Sequence, residues 1–510
     1  MRILLINPPY YRLQRVCISD FPLSLGYIAG VLEKDGHFVR IYNADKGKEE
    51  KGFHRISNRN FQLKGHENFV QAIKSTDHYV WKEVRQRIVE FCPDLVGIQA
   101  LTPTFASTKI VARITKELNN EIPVVVGGVH PTTVPEEVIS DKNIDFAVCG
   151  EGEITIVEFA RIIQKGTQEF FKVKGLYYKD NNIVRKTPPR EFITDLDKLP
   201  FPARHLVLNP ELYTNDFGAL IMGRGCPFSC TFCASNVMWA RKVRTRSPSN
   251  IVEEMRQVKD KYGVRSFAFQ DDTLTFDRKR LNELCRLLID AKLAINWMSY
   301  SRVDVINEDS LDLLKKSGCC QLSFGIESGS ERILKIMKKQ INLDQILKAR
   351  KLLKKYGIMF STIFLIGTPD ETKQDLLDTI EFIKKLRPDL VNICTYTPYL
   401  RTEMYERAVE LGTVSEELDY LYLSHHSARN TFSKFMTLDD FVQLRIELVN
   451  LADLMSSRIS LIYLRSMLRL WLQDPKYFAK RFPYYISVFP NHLKKAVSIF
   501  KIKNQKERRN

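Results

Sequence analysis

The segment Gly223-Arg224-Gly225-Cys226-Pro227-Phe228-Ser229-Cys230-Thr231-Phe232-Cys233 places three thiols within eight residues. Thiolate is the soft ligand that iron–sulfur clusters and zinc both take. A short loop can wrap three sulfurs around one cube of iron and sulfide, and three ligands leave one iron open. A catalytic metal needs such a position, whereas a structural site is normally closed by a fourth ligand. The zinc alternative would need that ligand from a distant part of the chain, and the sequence has no second Cys pair of the zinc-ribbon kind. Cys17, Cys92, Cys149, Cys285 and Cys394 are isolated and default to core or inert positions, and Cys319-Cys320 reads as the buried start of a strand. Ten Cys in 510 residues is too sparse for a disulfide scaffold.

Further polar residues stand at the ends of apolar runs. Gln270-Asp271-Asp272 follows Ser266–Phe269, Glu327-Ser328 follows Gln321–Gly325, and Gly367-Thr368-Pro369-Asp370-Glu371 follows Phe360–Ile366. In α/β barrels the active site gathers at such carboxyl ends. A carboxylate there can equally cap a helix, which is the competing reading of Asp370 and Glu371. Three loops nearer the start have a binding composition: Leu101-Thr102-Pro103-Thr104-Phe105-Ala106, Gly127-Gly128-Val129-His130-Pro131-Thr132 and Cys149-Gly150-Glu151-Gly152-Glu153. Glycine lets backbone approach a bulky ligand, and hydroxyls and amides can bond its polar rim. None carries the Gly-x-Gly-x-x-Gly fingerprint, so a nicotinamide or flavin dinucleotide is unsupported.

Two α/β scaffolds must position these residues. In the first, over residues 1–185, apolar strands at 2–7, 38–42, 95–98, 124–126 and 146–148 alternate with helices, including Leu23–Leu32 with small residues for its approach to the sheet. That rhythm predicts a doubly wound parallel sheet covered on both faces. The stretch 47–79 breaks it with no clear period and reads as a surface insertion or small lid. A Pro-punctuated linker, 186–218, follows. The second series, 219–411, holds strand candidates at Ala219–Met222, Ser266–Phe269, Ile295–Ser299, Gln321–Gly325, Phe360–Ile366 and Leu390–Thr395. Six units make an open (β/α)6 barrel, or a closed one if the remainder adds two more. Residues 412–510 read as a smaller helical, basic and aromatic region.

The CxxxCxxC spacing of Cys226, Cys230 and Cys233 in a loop after a strand resembles the radical SAM superfamily. By that resemblance the three thiolates hold a [4Fe–4S] cluster whose open iron is chelated by S-adenosylmethionine. One electron then cleaves the sulfonium to methionine and a 5′-deoxyadenosyl radical. Phe232 would lie near the adenine. Gln270, Asp271 and Asp272 stand where the family places groups near the methionine amine, departing from its commoner Gly-Gly-Glu. Glu327 and Ser328 belong to a segment similar to the one that approaches the ribose, and Gly367 to one similar to the adenine-side turn.

Residues 1 to about 400 resemble, in order and content, the branch in which a cobalamin-binding domain precedes the barrel. The better-known cobalamin signature is Asp-x-His-x-x-Gly. Asp35-Gly36-His37 has its first two residues, lacks the Gly, and sits before the second strand, so His37 reads as a turn residue. The resemblance puts Thr102, Pro103, Thr104 and Phe105 under the corrin, with Gly127, Gly128, His130, Gly150, Glu151 and Gly152 around its nucleotide tail. It implies a reducing partner such as flavodoxin or ferredoxin, anaerobic chemistry, and a small-molecule or lipid-like substrate. The branch contains methyltransferases and oxidative ring-forming enzymes of the anaerobic Mg-protoporphyrin cyclase type, of which methyl transfer is the commoner use and the expectation here. Two other readings compete: a degenerate flavodoxin-like domain that only packs on the barrel, and an RNA-modifying enzyme. The methylthiolating RNA type would need three extra Cys, and only Cys17, Cys92 and Cys149 are available in the first domain, widely spaced.

A formal net charge of +17 admits nucleic acid, an anionic membrane surface or acidic cofactors. No zinc finger, homeodomain pattern or RNA-binding aromatic signature is present and the basic residues are scattered, which disfavours nucleic acid. The start, Met1 to Pro9, has too short an apolar run for a signal peptide, and no stretch approaches the roughly 18 apolar residues of a span. The sequence therefore reads as cytoplasmic. On a helical wheel Arg458, Arg465 and Arg469 fall within about 40° of one another. Such a narrow cationic stripe suits either a core helix or peripheral contact with a membrane. Lys494-Lys495 and the basic end read as solvated. The Tyr, Phe and Arg of this region suit the capping of a large apolar or planar substrate.

Overall fold

Short aliphatic runs pair side by side at the head of the chain: β1 (Arg2–Asn7), β2 (Phe38–Asn43), β3 (Leu95–Gln99), β4 (Val124–Gly127) and β5 (Phe146–Val148). They are mutually parallel in the order β2-β1-β3-β4-β5. Both sheet faces are covered by helices, so the strands are buried along nearly their whole length rather than alternating. The computed structural model describes residues 1–16, 21–47, 59–75, 77–181, 183–213, 216–415, 418–423, 425, 431–456 and the isolated positions 468, 471, 472, 475 and 479.

The strand order reverses at β1, between β2 and β3. In a doubly wound sheet this is where a crevice opens outside the carboxyl ends. An antiparallel hairpin, β6 (Leu176–Asp180) and β7 (Ile183–Lys186), extends the sheet beyond β5. The sequence reading lacks this hairpin because β7 is exposed at every position and carries no alternation. Within 47–79 the described residues form a helix, Arg59–Lys74, rather than a bare loop. Its Phe69 and Ala72 are buried, and Trp81 Nε1 donates to the Ala72 carbonyl at 3.1 Å. Gly26 and Gly30 on the helix Leu23–Lys34 face the linker, not the sheet. A Cβ on Gly26 would lie 2.9 Å from Pro202, and one on Gly30 would lie 3.2 Å from the Phe201 carbonyl.

The second sheet begins with β8 (Ala219–Leu220) and a small antiparallel pair, β9 (Gly223–Arg224) and β10 (Arg244–Thr245). It continues through β11 (Ser266–Phe269), β12 (Asn296–Ser301), β13 (Cys319–Glu327), β14 (Met359–Ile366) and β15 (Leu390–Thr395). β8 and β11 to β15 form one parallel six-stranded sheet with β8 and β15 at its edges, an open (β/α)6 barrel. Trp297 is fully buried on the helix-covered face of β12, where its Nε1 donates to Ser317 Oγ at 3.2 Å and its ring meets Phe269 edge to face at 5.6 Å. Full burial of an aromatic of this size contributes roughly 1.5–3 kcal/mol.

The helix Leu438–Ser456 covers the β15 side, with Phe441 and Leu448 fully buried. Arg458, Arg465, Arg469 and the basic end beyond them lie outside the described residues, as does Cys17. Among the described residues no helix is long and apolar enough to cross a membrane.

Candidate functional site

The cysteine loop leaves the barrel from the small β9–β10 pair. Gly225 makes this exit possible: its φ is +95°, and a Cβ there would lie 2.3 Å from the Lys242 carbonyl oxygen. Beyond it Cys230 is buried, while Cys226 and Cys233 are half-buried. Thr273 Oγ1 lies 3.7 Å from Cys226 Sγ, and Arg302 Nη1 lies 3.8 Å from Cys230 Sγ. The Arg302 guanidinium also stacks 3.7 Å over the Phe228 ring. Burial raises the Cys230 thiol pKa, and the charges of Lys339 and Arg302 oppose that rise. Burial pushes Cys233 up to about 12. Metal binding must therefore displace protons here, and two cations wait beside Cys230 to offset the thiolate charge. Among the described residues no three His, Cys, Asp or Glu side chains converge as they do around a single ion.

The barrel residues singled out above lie at the carboxyl ends of their strands, in different environments. Gln270 and Asp272 are exposed to a cavity, and Asp272 accepts from Ser235 Oγ at 2.6 Å. Asp271 turns inward, accepting from the backbone N–H groups of Met222 at 3.0 Å and Gly223 at 2.6 Å, and burial raises its pKa to about 7. It braces the start of the cysteine loop. Glu327, with φ +69°, holds Lys339 Nζ at 2.7 Å in a buried pair. Ser328 is fully buried, accepting from Ser330 N at 3.1 Å and contacting Thr379 Oγ1 at 3.3 Å. Gly367 (φ +78°) donates to Glu371 Oε2 at 2.5 Å. Glu371 thus caps the turn itself, whereas the following helix is capped by Thr372. Phe232 packs into an apolar cluster with Met337, Leu365 and Met404.

Between the two sheets lies a cavity of about 340 Å³. From the first domain it is lined by Gly127, Gly128, Gly150, Glu151 and Gly152, and from the barrel by Arg224, Gly225, Gln270 and Asp272. The loop after β3 contributes Leu101, while Thr102, Pro103, Thr104 and Phe105 sit behind the lining. Thr104 Oγ1 accepts from Leu101 N at 2.9 Å, and Phe105 packs on His130 with ring centres 4.2 Å apart. His130 is fully buried, with Nδ1 3.3 Å from Thr102 Oγ1. Burial, aided by Lys109, lowers its pKa to about 3, so the ring is neutral. His37 lies at the opposite, amino end of the sheet beside Asp35, at 3.3 Å.

The two domains are tied by buried charge. Arg224 Nη1 meets Glu151 Oε1 at 2.6 Å and its Nη2 meets Glu153 Oε1 at 2.5 Å. Arg244 Nη1 meets Glu151 Oε2 at 2.6 Å, and Ile193 N donates to the same oxygen at 2.7 Å. Glu151 is therefore saturated by protein partners. Both arginines, Trp239 and Met238 in the lining, and Tyr420, whose ring packs 4.8 Å from His130 and whose hydroxyl donates to Glu137 at 2.7 Å, are not marked by any motif. Motif spacing carries no signal for contacts made across separate elements. Cys92, expected at a core or inert position, is exposed at the end of the helix Tyr79–Phe91. It precedes β3 while Cys149 follows β5, so the two occupy opposite ends of the parallel sheet and cannot share one cluster.

Residues 220–383 match the Radical SAM superfamily, and residues 21–160 match the B12 binding domain. An uncharacterised methyltransferase of Pyrococcus horikoshii is 34% identical over 415 residues, spanning 80% of this chain and 83% of that protein. The anaerobic magnesium-protoporphyrin IX monomethyl ester cyclase of Rubrivivax gelatinosus is 29% identical over 431 residues, 82% of this chain and 72% of its own length. Among solved structures, the radical S-adenosylmethionine methyltransferase TsrM from Kitasatospora setae, with cobalamin and a [4Fe–4S] cluster bound, shares the fold. Its TM-score is 0.63 at 18% identity, covering 81% of this chain and 75% of that one. With both domains matched in the order in which the fold joins them, the chain belongs to the cobalamin-dependent radical S-adenosylmethionine enzymes.

Proposed function

We propose that Cys226, Cys230 and Cys233 hold a [4Fe–4S] cluster, that the cavity between the domains holds a corrinoid, and that the chain transfers a methyl group to an unactivated centre of a small-molecule or lipid-like substrate. The observation that carries this reading is the single cavity shared by the carboxyl edge of the first sheet and the barrel residues beside the cysteine loop. The donor chemistry fits: three thiols in one loop with cationic support, and a glycine-lined edge where backbone can approach a broad ligand.

When bound, the cluster supplies the electron that cleaves S-adenosylmethionine and the cobalamin supplies the methyl-carrying cobalt. The chain's own groups bind, orient and exclude water. Gln270 and Asp272 face the cavity as hydrogen-bonding groups for the methionine end. The Glu327 carboxylate, held by Lys339 at 2.7 Å, is the group assigned to a ribose hydroxyl. Gly127 and Gly150 leave open space where a side chain would stand, so backbone can approach a broad ligand there, and Met238 and Trp239 shield the cavity beside the cysteine loop. His130 is neutral and fully buried behind the cavity lining, with Nδ1 3.3 Å from Thr102 Oγ1, and His37 lies at the far end of the sheet, so neither lines the cavity that would hold the corrinoid.

Methyl-labelled S-adenosylmethionine tests the reaction type. Methyl transfer yields S-adenosylhomocysteine and a labelled product. Turnover giving methionine and 5′-deoxyadenosine with no label in the product would replace this reading with oxidative ring formation, the activity for which the Rubrivivax gelatinosus relative is named.

A further inference from the structure

The cysteine loop has a second face. Cys230 and Cys233 form the floor of a groove of about 550 Å³, with Arg241, Lys338, Arg401 and Glu403 around its rim. None of its lining residues lines the cavity between the domains. The short helix Ser235–Trp239 separates the two: Met238 and Trp239 face the cavity, Asn236 and Val237 the groove.

The rim is cationic. Lys338 pairs with Glu403 at 2.6 Å, which leaves the exposed Arg241 and Arg401 without an ion pair among the described residues. Arg241, Lys338 and Arg401 all project from left-handed backbone, with φ of +59°, +49° and +63°. Non-glycine residues persist there only at a conformational cost, and such strain clusters at functional sites.

We propose that this groove docks the electron donor, an acidic protein carrying a low-potential one-electron centre. The inference rests on the assignment of the cluster to Cys226, Cys230 and Cys233. An electron must enter from outside while the cavity side is filled by cofactors and substrate, and the groove is the open approach to the loop at Cys230 and Cys233. Its two free arginines complement an acidic surface and steer its encounter. The step is a one-electron transfer: the donor loses the electron, the oxidised cluster gains it, and no bond is made.

The test compares the anaerobically reconstituted full chain with an Arg241→Glu/Arg401→Glu variant, using a reduced acidic flavodoxin and, separately, dithionite. With flavodoxin below saturation, bleaching of the cluster in the variant slows by about tenfold or more, and the wild-type rate falls with added salt. Dithionite bleaching, iron content and the change in the cluster's paramagnetic resonance on adding S-adenosylmethionine stay at wild-type values. An unchanged flavodoxin rate overturns the proposal, as does loss of iron or of dithionite reduction, which would make the arginines part of the cluster site. Flavodoxin binding to cluster-free full-length protein, read by fluorescence anisotropy, separates this proposal from the cluster assignment. Binding lost in the variant supports docking even if wild type holds no iron, and binding retained refutes docking, including the case in which the groove admits a small anionic substrate instead.

Discussion

Arg224→Met probes how the cobalamin-type domain is held against the barrel. Arg224 makes two short pairs, with Glu151 at 2.6 Å and Glu153 at 2.5 Å, and all three side chains are at most 9% exposed. After substitution Glu151 keeps Arg244 at 2.6 Å and the Ile193 N–H at 2.7 Å. Glu153 keeps no partner among the described residues, so the cost falls on that one carboxylate. Removing one member of a buried pair destabilises by roughly 3–5 kcal/mol, because the remaining charge is uncompensated. Methionine preserves most of the stem volume, so little of the loss comes from packing. The double variant Arg224→Met/Glu153→Gln removes both charges and recovers much of the loss, a coupling of about 2 kcal/mol or more. Urea denaturation of the metal-free full chain, read at the first transition, supplies the numbers. An Arg224→Met variant within about 0.5 kcal/mol of wild type, or a double variant as unstable as the single one, would refute the reasoning.

Other substitutions separate binding from folding. A Cβ on Gly127 would meet only Val148 Cβ, at 3.9 Å, and Gly127 lines the cavity, so in Gly127→Leu corrinoid retention on gel filtration should be lost while the thermal midpoint stays within a few degrees. Gly225→Ala forces a Cβ to 2.3 Å from the Lys242 carbonyl at a φ of +95°, and reconstituted iron per chain should drop well below wild type. Burial raises the Glu371 carboxyl from 4.5 to about 8, so the folded state keeps a proton that the unfolded chain releases. Its stabilisation is complete below pH 4.5 and is lost as pH rises through about 8. Glu371→Gln should flatten that part of the stability–pH curve, and an unchanged curve would reject the neutral carboxyl.

The parallel strands are legible in the sequence because a sheet buried on both faces demands continuous apolar runs such as Val124–Val126 and Ile363–Ile366. The cysteine loop is legible because its three Cys are local, within eight residues. The glycines at 127 and 150 are legible as a bare strand edge. What binds that edge to the barrel is not: the Glu151 pairs reach 73 and 93 residues along the chain to Arg224 and Arg244, and no periodicity links them. The same limit explains Thr102 to Phe105. Their composition suggests a ligand rim, yet Thr104 spends its hydroxyl on Leu101 and Phe105 packs on His130, leaving Leu101 at the cavity. The helix Arg59–Lys74 hides because its polar composition masks the burial of Phe69 and Ala72.

Anaerobic reconstitution with iron, sulfide and hydroxocobalamin, followed by gel filtration, Mössbauer and ultraviolet–visible spectroscopy, tests the central claim most directly. One [4Fe–4S] cluster and one corrinoid should be retained per chain, with the lower benzimidazole displaced and no histidine in its place. A zinc-only protein, wild-type cluster content after replacement of Cys226, Cys230 and Cys233 by Ala, or loss of the corrinoid from correctly folded protein would contradict it.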